Sequence, residues 1–229
     1  MRDVWPAKAG KICRIVGAGD GFAVFAPLAA HAPGDLLIAA DGGLKAAQAV
    51  GVTPDVVLGD FDSLGHVPEG DNVLRWPEMK DDTDMMLAIR LGLEKGYRTF
   101  YLYGGCGGRL DHTLANLQAL AFLAGQGAVG YLFEGGQTVT CVQNGEVRFP
   151  PLPEGILSLF AMCGTAGGVT LEGLLYPLND GVLQPDFPLG VSNHFTGAAA
   201  LVQVKNGTLT LSWDTPVLPQ IRQRCFETV

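Results

Sequence analysis

The stretch Leu36-Leu37-Ile38-Ala39-Ala40-Asp41-Gly42-Gly43-Leu44-Lys45-Ala46-Ala47-Gln48-Ala49-Val50-Gly51, followed closely by Val56-Val57-Leu58-Gly59-Asp60-Phe61-Asp62, decides the fold. Its first five residues are apolar without alternation, the pattern of a strand buried on both faces. Asp41-Gly42-Gly43 stops that run. The Ala-rich segment from Leu44 to Val50 reads as a helix closed by Gly51. Val56-Val57-Leu58 is a second apolar run, stopped by Gly59. Strand, helix and strand in so short a span predict a parallel pair joined by a crossover.

The alternation continues on both sides. Ile12 to Val16 precedes it as a strand ending in Gly17-Ala18-Gly19-Asp20. Thr83 to Lys95 follows as a helix, with Met86, Ile89 and Leu93 on one face and Gly96 past its end. Phe100 to Tyr103 is a strand ending in Gly104-Gly105. Asp111 to Gly125 is helical, with Leu114, Leu117, Gln118 and Ala121 at helical spacing. Val129 to Phe133 is one more strand. Residues 1–135 are therefore expected to form an α/β domain with a mostly parallel sheet, whose ligands bind beyond the carboxyl ends of the strands.

Helical periodicity ends near Gly135. Short strand-like runs follow at Thr138–Val142, Glu146–Phe149, Ile156–Ala161, Val169–Leu171, Ala199–Val204 and Thr208–Trp213. Asn144-Gly145 and Asn206-Gly207 are hairpin signals. Residues 136–229 are expected to form an all-β sandwich.

The 229 residues carry a net charge of −8. Ten acidic and three basic residues lie between Asp41 and Asp84, so most of that charge is focused there. The acidic balance argues against nonspecific nucleic-acid binding, which relies on Lys and Arg. No N-terminal apolar run resembles a signal peptide and no stretch is long enough to span a membrane. The five cysteines form no Cys-x-x-Cys pair and read as reduced core thiols. A cytoplasmic protein with no membrane partner is expected.

Three segments carry the candidate chemistry. Asp60 and Asp62 stand two apart; if the segment is extended, both carboxylates point to one face, where they suit a hard cation such as Mg²⁺. The alternative is turn chemistry. Lys80-Asp81-Asp82-Thr83-Asp84 lies at a helix start, where capping and the helix dipole account for one or two acids but less easily for three. Gly104-Gly105-Cys106-Gly107-Gly108-Arg109-Leu110-Asp111-His112 is the most distinctive. Its glycines let backbone N–H groups approach a ligand, Arg109 offers a fork for phosphate, and Asp111 caps the helix or joins a metal shell. Gly17-Ala18-Gly19 is a weak signal, because Phe22 stands where a dinucleotide fingerprint needs a small residue.

In this order, Asp41-Gly42-Gly43, Gly59-Asp60-Phe61-Asp62-Ser63, Lys80 to Asp84 and Gly107 to His112 resemble the thiamine pyrophosphokinases, with Ser192-Asn193 fitting a further family segment. The resemblance implies an α/β catalytic domain and a β-sandwich that helps hold thiamine. It implies transfer of the pyrophosphoryl group of ATP to the thiamine hydroxyl, giving thiamine diphosphate and AMP, with Mg²⁺ as cofactor in a homodimer whose sites form between subunits. Carried over by position, Asp60, Asp62, Thr83, Asp84, Arg109 and Asp111 match catalytic positions, with Asp60, Asp62 and Asp84 as metal ligands. Asp41, Lys80, Asp81, Gly107, Gly108 and His112 match the nucleotide side, and Ser192 and Asn193 the thiamine side. Three other readings stay open: a pyrophosphokinase acting on a hydroxymethylpterin, a metal-dependent nucleotide-sugar transferase, and a thiamine-binding module without catalysis.

Overall fold

The computed structural model describes residues 3–4, 11–19, 32–61, 67–75 and 82–224. Asp62, Lys80 and Asp81 of the expected site lie outside the described residues. The strands and helices run, in order, β1 (Asp3–Val4), β2 (Ile12–Val16), β3 (Leu36–Ala40), α1 (Gly43–Ala49), β4 (Val56–Gly59), β5 (Val73–Arg75), α2 (Asp84–Glu94), β6 (Thr99–Tyr103), α3 (Leu110–Gly125) and β7 (Val129–Glu134). They continue with β8 (Gln137–Gln143), β9 (Gly145–Phe149), β10 (Ile156–Phe160), β11 (Ala166–Glu172), β12 (Leu178–Leu183), β13 (Asn193–His194), β14 (Ala200–Gln203), β15 (Thr208–Trp213) and β16 (Gln220–Arg224). Two compact units result: Gly10–Ala119 with Tyr131–Gly135, and Met1–Ala9 with Leu120–Gly130 and Gly136–Val229.

In the first unit β6, β2, β3, β4 and β5 are neighbours in that order, every pair parallel. Val16 stands opposite both Ala39 and Tyr103, and Ala40 opposite Leu58, so these strands end at one level. After β2 the chain steps one way through β3, β4 and β5, then returns to place β6 on the other side of β2. The order thus reverses between β2 and β6, and an open parallel sheet has its natural binding crevice at such a reversal. Both faces are covered, as the unbroken apolar strands require. Gly92 of α2 lies so close to Cys13 and Phe100 that a Cβ there would fall 2.8 Å from the Cys13 Sγ. Ala46 of α1 packs with Val16, Leu37 and Tyr103 on the opposite face.

The buried stripes on the longer helices differ from the expected ones. α2 buries Met85, Ala88, Ile89 and Gly92 rather than the Met86–Ile89–Leu93 face. α3 buries Asn116, Ala119, Leu120, Leu123 and Ala124, while Leu114 and Gln118 of the expected stripe are exposed. Spacing alone leaves a helix face uncertain by about 100° per residue, and small residues such as Ala88 and Gly92 are what allow close approach to a sheet.

The second unit is a sandwich of antiparallel strands. One sheet has the order β1-β16-β9-β14-β11-β12, and the facing strands run β13-β10-β15-β8. Phe149 from the first meets Trp213 from the second with ring centroids 5.3 Å apart. The two Asn-Gly pairs do not make hairpins. β8 pairs with β15 whereas β9, just beyond Asn144, pairs with β14 and β16. Likewise β14 and β15, flanking Asn206-Gly207, belong to opposite sheets. Both pairs are corners where the chain changes sheet, and they hold one another. Asn144 N donates to Gly207 O at 3.1 Å, and Gly207 N donates to Asn144 Oδ1 at 2.8 Å. The left-handed backbone that suits a hairpin turn serves equally for a right-angle corner.

Candidate active site

The level ends of β2, β3, β4 and β6 bring their loops together around a cavity of about 540 Å³. Gly17 N donates to Tyr103 O and Gly19 N to Gly104 O, each at 2.8 Å, so the loops after β2 and β6 are stitched backbone to backbone. No side chain fits there: a Cβ on Gly19 would stand 2.4 Å from Cys106 O, and one on Gly104 (φ 60°) 2.7 Å from Gly17 O. Gly17-Ala18-Gly19, a weak signal as a fingerprint fragment, therefore lines the cavity through close approach.

Of the expected residues, Asp41, Asp60, Thr83, Asp84, Gly107, Gly108, Arg109 and His112 line this cavity. Asp41 has φ 47° and is fixed by its N–H to Leu58 O at 2.8 Å. Its Oδ1 is buried without a hydrogen-bond partner among the described residues. Phe61 has φ 64° and is 2% exposed, packed with Ala39 and Val57. The Asp60-Phe61 segment is thus not extended at Phe61. The chain turns there, and the aromatic ring anchors the turn in the core. A left-handed conformation is costly for so bulky a residue, and such strain gathers at functional sites.

The acidic density is partly structural. Asp55 Oδ2 accepts from Leu37 N at 2.8 Å, tying two strands at their starts. Asp82 takes Arg90 Nε at 2.7 Å, an ion pair from just before α2 to its second turn. Thr83 is the N-cap of α2, its Oγ1 accepting from Met86 N at 3.2 Å. Capping accounts for Thr83, and the ion pair for Asp82. Asp84, in the first turn of α2, lines the cavity with Asp41 and Asp60.

Arg109 and Asp111 are partners: Nη2 donates to Oδ2 at 2.7 Å and Nε to Oδ1 at 3.2 Å. That bond holds the Asp111 carboxyl below its usual range, helped by the His112 N–H. Asp111 thus braces Arg109 at the cavity mouth from inside the first turn of α3. Cys106 also lines the cavity, and burial pushes its thiol up to about 11. Such a thiol stays protonated and is a poor nucleophile.

Ser192 and Asn193 belong to the second unit. Ser192 is exposed with φ 59°, and its N–H donates to Ser158 Oγ at 3.0 Å. Asn193 is buried. Its Oδ1 accepts from Tyr176 N at 2.9 Å and its Nδ2 donates to Tyr176 O at 2.8 Å. Its amide is thus spent on holding the Tyr176 backbone, whose ring is 62% exposed.

Among the described residues no three acidic, His or Cys side chains gather into a ready-made metal cage. The cavity does offer an all-carboxylate donor set, and the unpartnered Asp41 Oδ1 is an atom that a cation would satisfy. One or two carboxylates completed by phosphate oxygens and water is the usual manner of Mg²⁺, so the residues fit that ion. Among the described residues no helix is long and apolar enough to cross a membrane.

Comparison with known proteins bears on the same two units. The family described as Thiamin pyrophosphokinase, catalytic domain matches residues 30–128. Thiamin pyrophosphokinase, vitamin B1 binding domain matches residues 146–209. Thiamine pyrophosphokinase of Bacillus subtilis (strain 168) is 27% identical over 195 residues, covering 77% of this chain and 86% of the relative. The crystal structure of Thiamine pyrophosphokinase from Bacillus subtilis superposes with a TM-score of 0.79 at 23% identity, covering 90% of this chain and 100% of that one. Thiamin pyrophosphokinase from Candida albicans gives 0.72 at 13% identity, covering 90% and 89%. The structural likenesses speak for the fold, and the two family matches, in order along one chain, for descent. The chain belongs to the thiamine pyrophosphokinase family of ATP-dependent transferases.

Proposed function

We propose that the cavity at the β2/β6 reversal takes the triphosphate of ATP and that the protein transfers the pyrophosphoryl group to the thiamine hydroxyl. The observation that carries this is the meeting of Asp41, Asp60 and Asp84 with the Gly104–Gly108 loop and Arg109 around one cavity. Glycine-rich backbone ahead of a helix start suits phosphate, and carboxylates lining the same cavity would favour a cation bound along with that phosphate. In the reaction the thiamine oxygen forms a bond to the β-phosphorus of ATP, the bond from that phosphorus to the α-bridging oxygen breaks, and AMP leaves. The hydroxyl loses its proton, for which the cavity carboxylates are the acceptors at hand. The protein contributes positioning and charge stabilisation. Mg²⁺, held by Asp60, Asp62 and Asp84, would supply charge neutralisation at the phosphate oxygens when bound. Arg109, braced by Asp111, would orient and neutralise the transferred group. Thr83 keeps α2 capped so that Asp84 faces the nucleotide; Lys80, Asp81 and His112 complete the nucleotide side.

Thiamine falls to the second unit in this proposal, at Ser192 and Asn193, with residues 1–135 as the catalytic domain and 136–229 as the thiamine-binding domain. The exposed Tyr176 ring beside Asn193 supports it, since an aromatic face suits a cationic heterocycle. The protein is further proposed to be a cytoplasmic homodimer. Leu175, Phe187, Leu189 and Val191 of the same unit are exposed apolar side chains that a second copy would cover. An assay of AMP formed from ATP with Mg²⁺, with and without thiamine, tests the function. Turnover of a hydroxymethylpterin but not of thiamine would overturn it.

A further inference from the structure

We infer that Asn116 is a positioning residue for the Gly104–Gly108 loop, and that it sets the affinity for ATP without acting on thiamine. This rests on the nucleotide reading of the cavity. Asn116 lies midway along α3, is buried, and lines the cavity with its neighbour Ala115 and with His112 one turn before it. Its Nδ2 donates to Gly105 O at 2.5 Å, a bond that reaches back eleven residues. The loop between β6 and α3 is thereby closed into a ring by the helix that it leads into.

Gly105 is held from a second side as well. A Cβ there would stand 2.6 Å from Leu132 Cδ1 and 3.1 Å from Asn116 Nδ2. With Gly104 O held by Gly19 N and Gly105 O held by Asn116, two successive carbonyls are fixed. A trans peptide carries its carbonyl and N–H on opposite sides, so the N–H groups of Gly105 and Cys106 are fixed with them. A loop whose amide directions are set before ligand arrives loses little freedom on binding phosphate. Asparagine is a poorer helix former than alanine, and here its buried amide is committed to the loop carbonyl, which points to a role beyond helix formation. That role requires a donor, since an aspartate of the same shape would set a carboxylate oxygen against the Gly105 carbonyl.

Initial rates with ATP and thiamine varied in turn decide the matter. Asn116→Asp is expected to raise KM for ATP about tenfold or more, with KM for thiamine within about twofold of wild type. Asn116→Ala adds no charge and favours the helix, so it folds even if the aspartate does not. It is expected to shift KM for ATP in the same direction, by about fivefold, with thermal unfolding measured alongside to separate that shift from the stability lost with the buried bond. Unchanged KM for ATP in both variants overturns the inference. So does an equal rise in both KM values. Should wild type form no AMP from ATP and thiamine, the functional reading fails on its own. Calorimetric titration of the three proteins with a non-hydrolysable ATP analogue then tests Asn116 separately, equal affinities counting against it.

Discussion

Arg90 closes on Asp82 through two nitrogens, Nε at 2.7 Å and Nη2 at 3.4 Å, so one carboxylate of the acidic run is matched by the arginine of the helix that follows it. Asp82 and Asp84 stand two residues apart with different roles. Asp82→Asn is expected to keep turnover within about threefold of wild type and to cost about 0.5 kcal/mol of stability, the worth of a partly exposed pair. Asp84→Asn is expected to lower kcat about 100-fold or more while the protein stays folded. Rates of AMP formation alongside thermal unfolding separate the two, and similar activity losses in both would remove the distinction.

Phe61 holds the turn that presents Asp60. Phe61→Ala removes a ring that is 2% exposed and is expected to destabilise the protein by about 3–4 kcal/mol. Asp60→Asn leaves that packing alone, so its loss of activity should come without a stability loss. Urea titrations of both variants, read beside their rates, check this.

Arg109→Lys keeps the charge but loses the fork that Asp111 braces, and kcat/KM for ATP is expected to fall about tenfold. The pH dependence has a definite sign. Asp111 is held below its usual range by Arg109, so the pair is intact above the ordinary carboxylate pKa and is lost only as pH falls through the lowered value. A profile of kcat/KM between pH 6 and pH 9, on the order of the usual assay range, should show no inflection that Asp111→Asn removes.

Alkaline conditions act through the buried thiols and phenols. Cys13, Cys141 and Tyr103 are pushed up to about 12 by burial, and Cys106 to about 11. The folded state keeps protons that the unfolded chain releases, so stability present below the ordinary pKa values declines as pH rises above them. The thermal midpoint should fall from about pH 9 upward. Burial keeps the Cys106 thiol protonated at about pH 8, so among the described cysteines alkylation should mark exposed Cys163 before Cys106, and ATP should slow Cys106 further.

The paired corners of the β unit make a stability prediction. Asn144→Ala loses the bond to Gly207 and places a Cβ-bearing residue without side-chain compensation at φ 47°, for an expected cost of about 2 kcal/mol. Asn144→Gly keeps the backbone at ease and should cost about half that. Equal losses in chemical denaturation would show that the conformation contributes nothing.

The strands around Asp41 were legible because burial on both faces leaves an unbroken apolar run, which nothing else in a short segment produces. β16 was not legible. Gln220 to Arg224 is polar, and Gln223 is buried only because its amide serves Ala128 O at 2.7 Å and the Gln143 N–H. β12 hides in the same way behind Asp180 and Gly181. The Asn-Gly pairs announced a left-handed bend but not whether the chain would return to the same sheet. Around the site, Asp41, Asp60, Asp84 and Arg109 stood out by chemistry. Asn116 and Gly17–Gly19 did not, because one looks like an ordinary helix residue and the others act by having no side chain.

That last group has a consequence for how such a protein changes over generations. Gly43 sits where a Cβ would be 1.9 Å from Val16 O, and Gly19 and Gly104, at 2.4 Å and 2.7 Å, also leave no room for one. Each loop is the mould of its neighbour, so drift at any one of these positions needs simultaneous drift in another loop far away in sequence. Saturation mutagenesis should find this part of the rim almost silent to selection for new substrates. Variation that succeeds will arise at cavity-lining positions of α2 and α3 such as Met85 and Ala115, apart from Asp84 and Asn116, where a side chain can be exchanged without recasting the backbone.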